Sequence, residues 1–147
     1  MKFMILLKAS PATEAGEMPS AQLIADMGRY NEELIQAGIM LAGDGLHPSR
    51  KGARVNWDSA GHISVAEGPF DNAHRQLISG FWMWQCQSRQ EAIAWIKRCP
   101  WPAGQQTEVE IRQVFTAEDF GAEFTPELRE QEENQRARLD QAAANKA

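Results

Sequence analysis

Val65-Ala66-Glu67-Gly68-Pro69-Phe70, followed after a polar stretch by Ser79-Gly80-Phe81-Trp82-Met83-Trp84, reads as strand, turn and strand. Gly68-Pro69 interrupts regular structure, because proline fixes φ and lacks an N–H while glycine reaches dihedrals closed to other residues. A loop so constrained holds its side chains in fixed directions. Those on offer are Glu67, Asp71, Asn72, His74 and Arg75, a dense polar set between two apolar strands, and a ligand site is predicted there.

Before this stretch, Lys2-Phe3-Met4-Ile5-Leu6-Leu7 is an apolar run without alternation, the pattern of a central strand buried on both faces. Ser10 to Glu17 reads as a loop. Leu23, Met27, Tyr30 and Leu34 then recur at spacings of four and three, one apolar face of a helix over 19–37 that opens on Pro19 and closes at Gly38. Ile39 to Ala42 reads as a second strand, ended by Gly43-Asp44-Gly45, which leaves Asp44 on a bend as a second polar anchor or as a turn carboxylate bonding its own backbone. Ala53 to Trp57 and His62 to Ala66 flank Asp58-Ser59-Ala60-Gly61, a hairpin signal in which His62 falls on the surface face.

Beyond it, Leu77 to Cys86 reads as a strongly apolar strand. Ser88-Arg89-Gln90-Glu91 is a capping box opening a second helix, which Cys99-Pro100-Trp101-Pro102 ends. Thr107 to about Phe115 is a last strand. The order strand, helix, strands, strand, helix, strand predicts an α+β protein: a ferredoxin-like split βαβ arrangement with an antiparallel sheet and an inserted hairpin. Residues 1–120 form that domain, and 121–147 a C-terminal polar helical tail. Thr125-Pro126 starts its helix, with about two ordered turns expected before disorder unless a second subunit supplies a surface. Phe81, Trp82, Met83 and Trp84 put apolar bulk on both faces of one strand, which predicts a homodimer.

Composition narrows the function. A net charge of -5 and no basic stripe exclude nucleic-acid and anionic-membrane surfaces. Met1 to Leu7 is too short to span a bilayer, and no small-residue cleavage site follows it, so a cytoplasmic protein is expected. Cys86 and Cys99 lack metal-ligand spacing and read as reduced, structural thiols. His47, His62 and His74 form no zinc-spaced pair, and no phosphate loop or Gly-x-Ser-x-Gly elbow is present, so neither metal nor cofactor is indicated.

Met1-Lys2-Phe3-Met4, Gly43-Asp44-Gly45-Leu46, Glu67-Gly68-Pro69-Phe70, Gly80-Phe81-Trp82 and Ala92-Ile93-Ala94-Trp95 with Arg98-Cys99-Pro100 together resemble the YCII-related family, in the branch named for its Asp-Gly-Pro-Phe motif. The likeness runs from Met1 to about Phe115. It implies a dimeric α+β barrel, with two sheets packed together and a cleft between layers, and no settled activity. Glu67 stands where the motif usually has Asp. The family's following Lys falls on His74 or Arg75, because the loop is one residue longer. Members regarded as enzymes are associated with a histidine on the first helix and an aspartate near the end of the second. Here the first helix has no histidine, and Cys99 stands near the second position.

Two functions compete. In one, the domain binds a small molecule in a polar cleft around the Glu-Gly-Pro-Phe loop, with Asp71, Arg75, Phe70 and Trp82 as ligand-binding residues. The alternative is a cofactor-independent lyase or isomerase: Glu67 as general base, His74 or Arg75 holding an oxyanion, Asp44 orienting the substrate, and burial beside Phe70 and Trp82 sharpening the base. On the non-enzymatic side, a ligand-binding or interaction domain, the polar loop is a structural hydrogen-bonded knot and Trp57, Trp82 and Trp84 pack in core or interface. A third, structural reading makes Glu67 and Arg75 a plain ion pair at the cleft edge.

Overall fold

The computed structural model describes residues 1–70 and 77–145, which fall into two units, Met1–Val114 and Phe115–Ala147. The first contains β1 (Lys2–Lys8), α1 (Pro11–Ala15), α2 (Ala21–Gln36), β2 (Met40–Gly45), β3 (Ala53–Trp57), β4 (Ile63–Glu67), β5 (Ile78–Gln85), α3 (Arg89–Ile96) and β6 (Val109–Gln113). Four strands form one sheet in the order β2-β5-β1-β6, every neighbour antiparallel. β5 thus lies between the parallel β1 and β2, and β1 between the parallel β5 and β6. These are the two split βαβ units of the ferredoxin-like fold. β3 and β4 make the inserted hairpin and pair with each other.

Period-two alternation divides the sheet into unlike faces. Phe3 and Ile5 of β1 are fully buried and stand opposite Trp84 and Trp82 of β5. Tyr30 and Leu34 of α2 and Ala92 of α3 close over them. Trp82 packs edge-on to Tyr30, with ring centroids 6.2 Å apart, and tilted against Trp84 at 5.8 Å. On the other face Met4 pairs with Met83 and Leu6 with Phe81, and all four are half-buried, outside that core. Burial of β1 on both faces is therefore realised on one face only.

Three local readings differ from expectation, each for a steric or capping reason. Gly43-Asp44-Gly45 continues β2 instead of bending: the indole of Trp82 lies against Gly43 where a Cβ would stand, so glycine here admits a ring. The stretch after β1 contains a helix, because Ser10 and Thr13 form a capping box and Pro11 sits at its first position. α2 starts after Ser20, whose hydroxyl accepts from Leu23 N, so Pro19 lies just outside it.

The second unit opens on a 3₁₀ stretch, Ala117–Glu123, followed by α4 (Pro126–Ala144). Its 19 residues run far beyond two turns. Thr125 caps it, Pro126 starts it, an Arg136–Glu132 pair bridges one turn, and alanines near its end keep helix propensity high. Phe120 stacks between Phe115 and Phe124, at 5.6 and 5.4 Å.

Candidate functional site

The Gly-Pro-Phe turn is fastened from below by a residue far from it in sequence. Ser49, a buried polar residue outside the hydrophobic core, donates its hydroxyl to Glu14 Oε2 at 2.6 Å and its N–H to the same carboxylate at 3.1 and 3.2 Å. That hydroxyl also accepts from Phe70 N at 3.1 Å. A Cβ on residue 68 would run into the Ser49 carbonyl oxygen, which is why glycine occupies the position. The Gly68–Pro69 peptide is cis, Gly68 N donates to Gly52 O at 2.9 Å, and the Arg54 guanidinium lies 4.1 Å above the Phe70 ring. Arg50 completes the junction by donating to Glu14 O at 3.1 Å.

Around this knot the sequence-predicted residues are dispersed. Glu67 is exposed at the end of β4, opposite Ala53, without the expected burial beside Phe70 and Trp82. Asp44 is exposed on β2, in register with Phe81 on the sheet face away from the helices. Trp82 belongs to the helix-covered core and donates Nε1 to Asn31 Oδ1 at 3.1 Å. Asp44 and Trp82 therefore face opposite sides of the sheet. Phe70 is half-buried in the knot. Asp71, His74 and Arg75 lie outside the described residues.

A cleft of ≈ 630 Å³ opens instead at the end of β1, with Lys8, Ser10, Ser79, Trp101, Gln105 and Glu108 among its walls. Lys8 Nζ is held by Glu110 Oε2 at 2.6 Å, and Arg112 adds a second bond to Glu110 at 2.9 Å. These hydrogen bonds, Lys8 first, hold the Glu110 carboxyl below its ordinary range. Ala9 N donates to Leu77 O at 2.9 Å beneath the cleft. The stretch from Ser10 to Ala12 thus lines the cleft, while Glu14, one turn on, grips the Gly-Pro-Phe turn through Ser49. Ser49 carried no sequence signal. Glu14 did, since Ser10-Pro11 followed by Glu14 is a helix start.

Where the first long helix meets the end of α3, the structure places Met27 and Cys99, with Cys99 Sγ 3.8 Å from Met27 Sδ. Burial pushes the Cys99 thiol up to about 12, and Cys86 is raised in the same direction, first by burial and then by Glu91. Two soft sulfur side chains in the core fill this junction. Among the described residues, no three His, Cys, Asp or Glu side chains cluster to hold a metal ion, and no helix is long and apolar enough to cross a membrane.

Residues 1–118 match the YCII-related domain. No curated protein matches the chain. Among solved structures, it is similar to a 5-chloro-2-hydroxyhydroquinone dehydrochlorinase from Burkholderia phenoliruptrix AC1100, determined in complex with 2,5-dihydroxybenzoquinone. That similarity is 16% identity with a TM-score of 0.42, over 80% of this chain and 98% of that chain.

Proposed function

The chain belongs to the YCII-related family, and we propose from that premise that it is a member of the Asp-Gly-Pro-Phe branch that binds a small organic molecule in the cleft at the end of β1. The observation that carries this reading is the cleft itself. Its ≈ 630 Å³ lies within the range of small-molecule sites, and it sets one aromatic wall, Trp101, against a few convergent polar groups. Lys8 and Ser10 suit a ligand with an acceptor or anionic end. Trp101 suits a flat apolar body. The branch motif supports the site at one remove, since the helical turn that walls the cleft is the turn that anchors Gly68-Pro69-Phe70.

The alternative, a lyase or isomerase with Glu67 as general base, needs a carboxylate shielded with its substrate from water. Glu67 is exposed on the hairpin, and the binding reading is preferred. The sheet face away from the helices supports a homodimer as the working form: Met4, Leu6, Phe81 and Met83 form a half-buried apolar patch outside the core.

Amide chemical-shift mapping with a panel of small aromatic acids and lactones tests the binding reading. Saturable shifts at Lys8, Ser10, Ser79 and the Trp101 indole support it. Saturable shifts confined to the Glu67 end of the hairpin would overturn it in favour of the alternative.

A further inference from the structure

We propose that Glu14 and Ser49 are positioning residues of the cleft at the end of β1, so that its affinity for a ligand is coupled to the Gly68-Pro69-Phe70 turn. This deepens the small-molecule reading of the cleft and rests on it. The walls of the cleft are held in unequal ways. Leu7 and Trp101 pack against the hydrophobic core, and Lys8 N donates to Glu108 O at 3.1 Å, which carries the pairing of β1 with β6 into the cleft. The wall made by Ser10, Pro11 and Ala12 is different. It is the cap and first turn of α1, a helix of five residues with none of them buried.

So short a helix does not persist by itself, and with no buried residue its position is not set by packing. The capping bonds between Ser10 and Thr13 give it shape, but they lie within the turn and leave its place in the fold open. Among the described residues, every hydrogen bond that reaches α1 from another element comes from Ser49 or Arg50. Ser49 holds the Glu14 carboxylate through both its hydroxyl and its N–H, and Arg50 donates to Glu14 O. Gly16 accommodates this contact. A Cβ there would stand 2.7 Å from Arg50 Nη2.

The Ser49 hydroxyl has one proton to give. Pointing it at Glu14 turns a lone pair towards Phe70 N, 3.1 Å away, so the bond to the cleft wall and the bond to the turn are made together. A ligand that braces Ser10 to Ala12 therefore steadies the Phe70 bond through Glu14 and Ser49. By linkage, an ordered turn strengthens ligand binding by the same factor. Glu14 itself does not line the cleft, so it acts on a ligand only through the wall or through its charge. Those two routes have opposite signs for an anionic ligand. Removing a carboxylate lessens repulsion and favours binding, whereas releasing the wall weakens it.

The test titrates benzoate, with the other aromatic acids and the lactones of the panel behind it, into the parent chain, Glu14→Ala and Glu17→Ala. Glu17, exposed just past α1, supplies the same charge change without breaking the tie. Amide shifts at Lys8 and the Trp101 indole give the affinities, and hydrogen exchange at Phe70 N, set against the amides of α2, reports the turn apart from global stability. Glu14→Gln, which keeps an acceptor for Ser49, replaces Glu14→Ala if that variant does not stay folded. The expected result is binding weakened about fivefold or more in Glu14→Ala and within twofold of the parent in Glu17→Ala. The bound probe should also slow Phe70 exchange in the parent and not in Glu14→Ala. Equal affinities in all three proteins, an equal loss in both variants, or Phe70 exchange that the bound probe leaves unchanged overturns this proposal while the cleft reading stands. A panel that shifts neither Lys8 nor Trp101 in the parent chain overturns both.

Discussion

Ser49 and Glu14 are 35 residues apart in sequence and joined by a 2.6 Å hydrogen bond, and the same Ser49 hydroxyl accepts the backbone N–H of Phe70. One buried hydroxyl thereby ties the helical turn after β1 to the turn before residue 71. The Gly-Pro-Phe motif is legible as a consequence. Gly68 leaves room for the Ser49 carbonyl, and Phe70 supplies a ring for Arg54 and an N–H for Ser49.

Ser49→Ala should cost about 2 kcal/mol, since it strips the Phe70 N–H of its acceptor and leaves a cleared pocket beside Glu14. Urea melts of the two proteins measure the loss. A change below ~0.5 kcal/mol, as at ordinary surface sites, would show that the tie is dispensable.

Two glycine substitutions should act in opposite directions. Gly68→Ala places a methyl group against a backbone carbonyl that cannot move aside, and should cost about 3 kcal/mol or more. Gly28 lies within α2 with no atom near its added Cβ, so Gly28→Ala should stabilise by about 0.5–1 kcal/mol. Thermal melts of both variants check the pair together.

Most of the four-stranded sheet was legible in the sequence, because each of its strands carries its own period or apolar run and each long helix its own cap. Phe3, Trp84, Tyr30 and Leu34 fall where that reading puts them, whereas Trp82, read as a ligand-binding residue, packs in the helix-covered core. The candidate site was much less legible. Its ties are long-range hydrogen bonds, Glu14 to Ser49 and Lys8 to Glu110, and nothing in the neighbourhood of either residue points to its distant partner. Turn composition also led astray at Gly43-Asp44-Gly45, where the strand continues and Gly43 makes room for an indole.

Alkaline pH should weaken the fold through its buried thiol. Folding raises Cys99 from an ordinary 9.0 to about 12 by burial, so the folded chain keeps a proton that the unfolded chain gives up. That contribution is fully present below pH 9 and is lost as pH rises towards 12. Tyr30, raised above its ordinary 10.0 mainly by burial, acts in the same sense. The urea midpoint should fall progressively above pH 9, and Cys99→Ser or Cys99→Ala should flatten part of that fall. An equally steep decline in those variants would assign the effect elsewhere.

The cleft and the hairpin carboxylate make separate claims on any ligand, and two substitutions set them apart. Lys8→Met keeps the stem that lines the cleft and removes the ammonium, leaving Glu110 with Arg112 as its remaining cation. Glu67→Gln keeps volume and removes charge at an exposed position. If an acidic ligand sits in the cleft, Lys8→Met should weaken it by about 1–3 kcal/mol, the range for a charged hydrogen bond, while Glu67→Gln stays within twofold of the parent. Titration calorimetry at two pH values reads both constants. Loss of binding, or of its pH dependence, in Glu67→Gln alone would move the site to the hairpin and restore Glu67 as the working group.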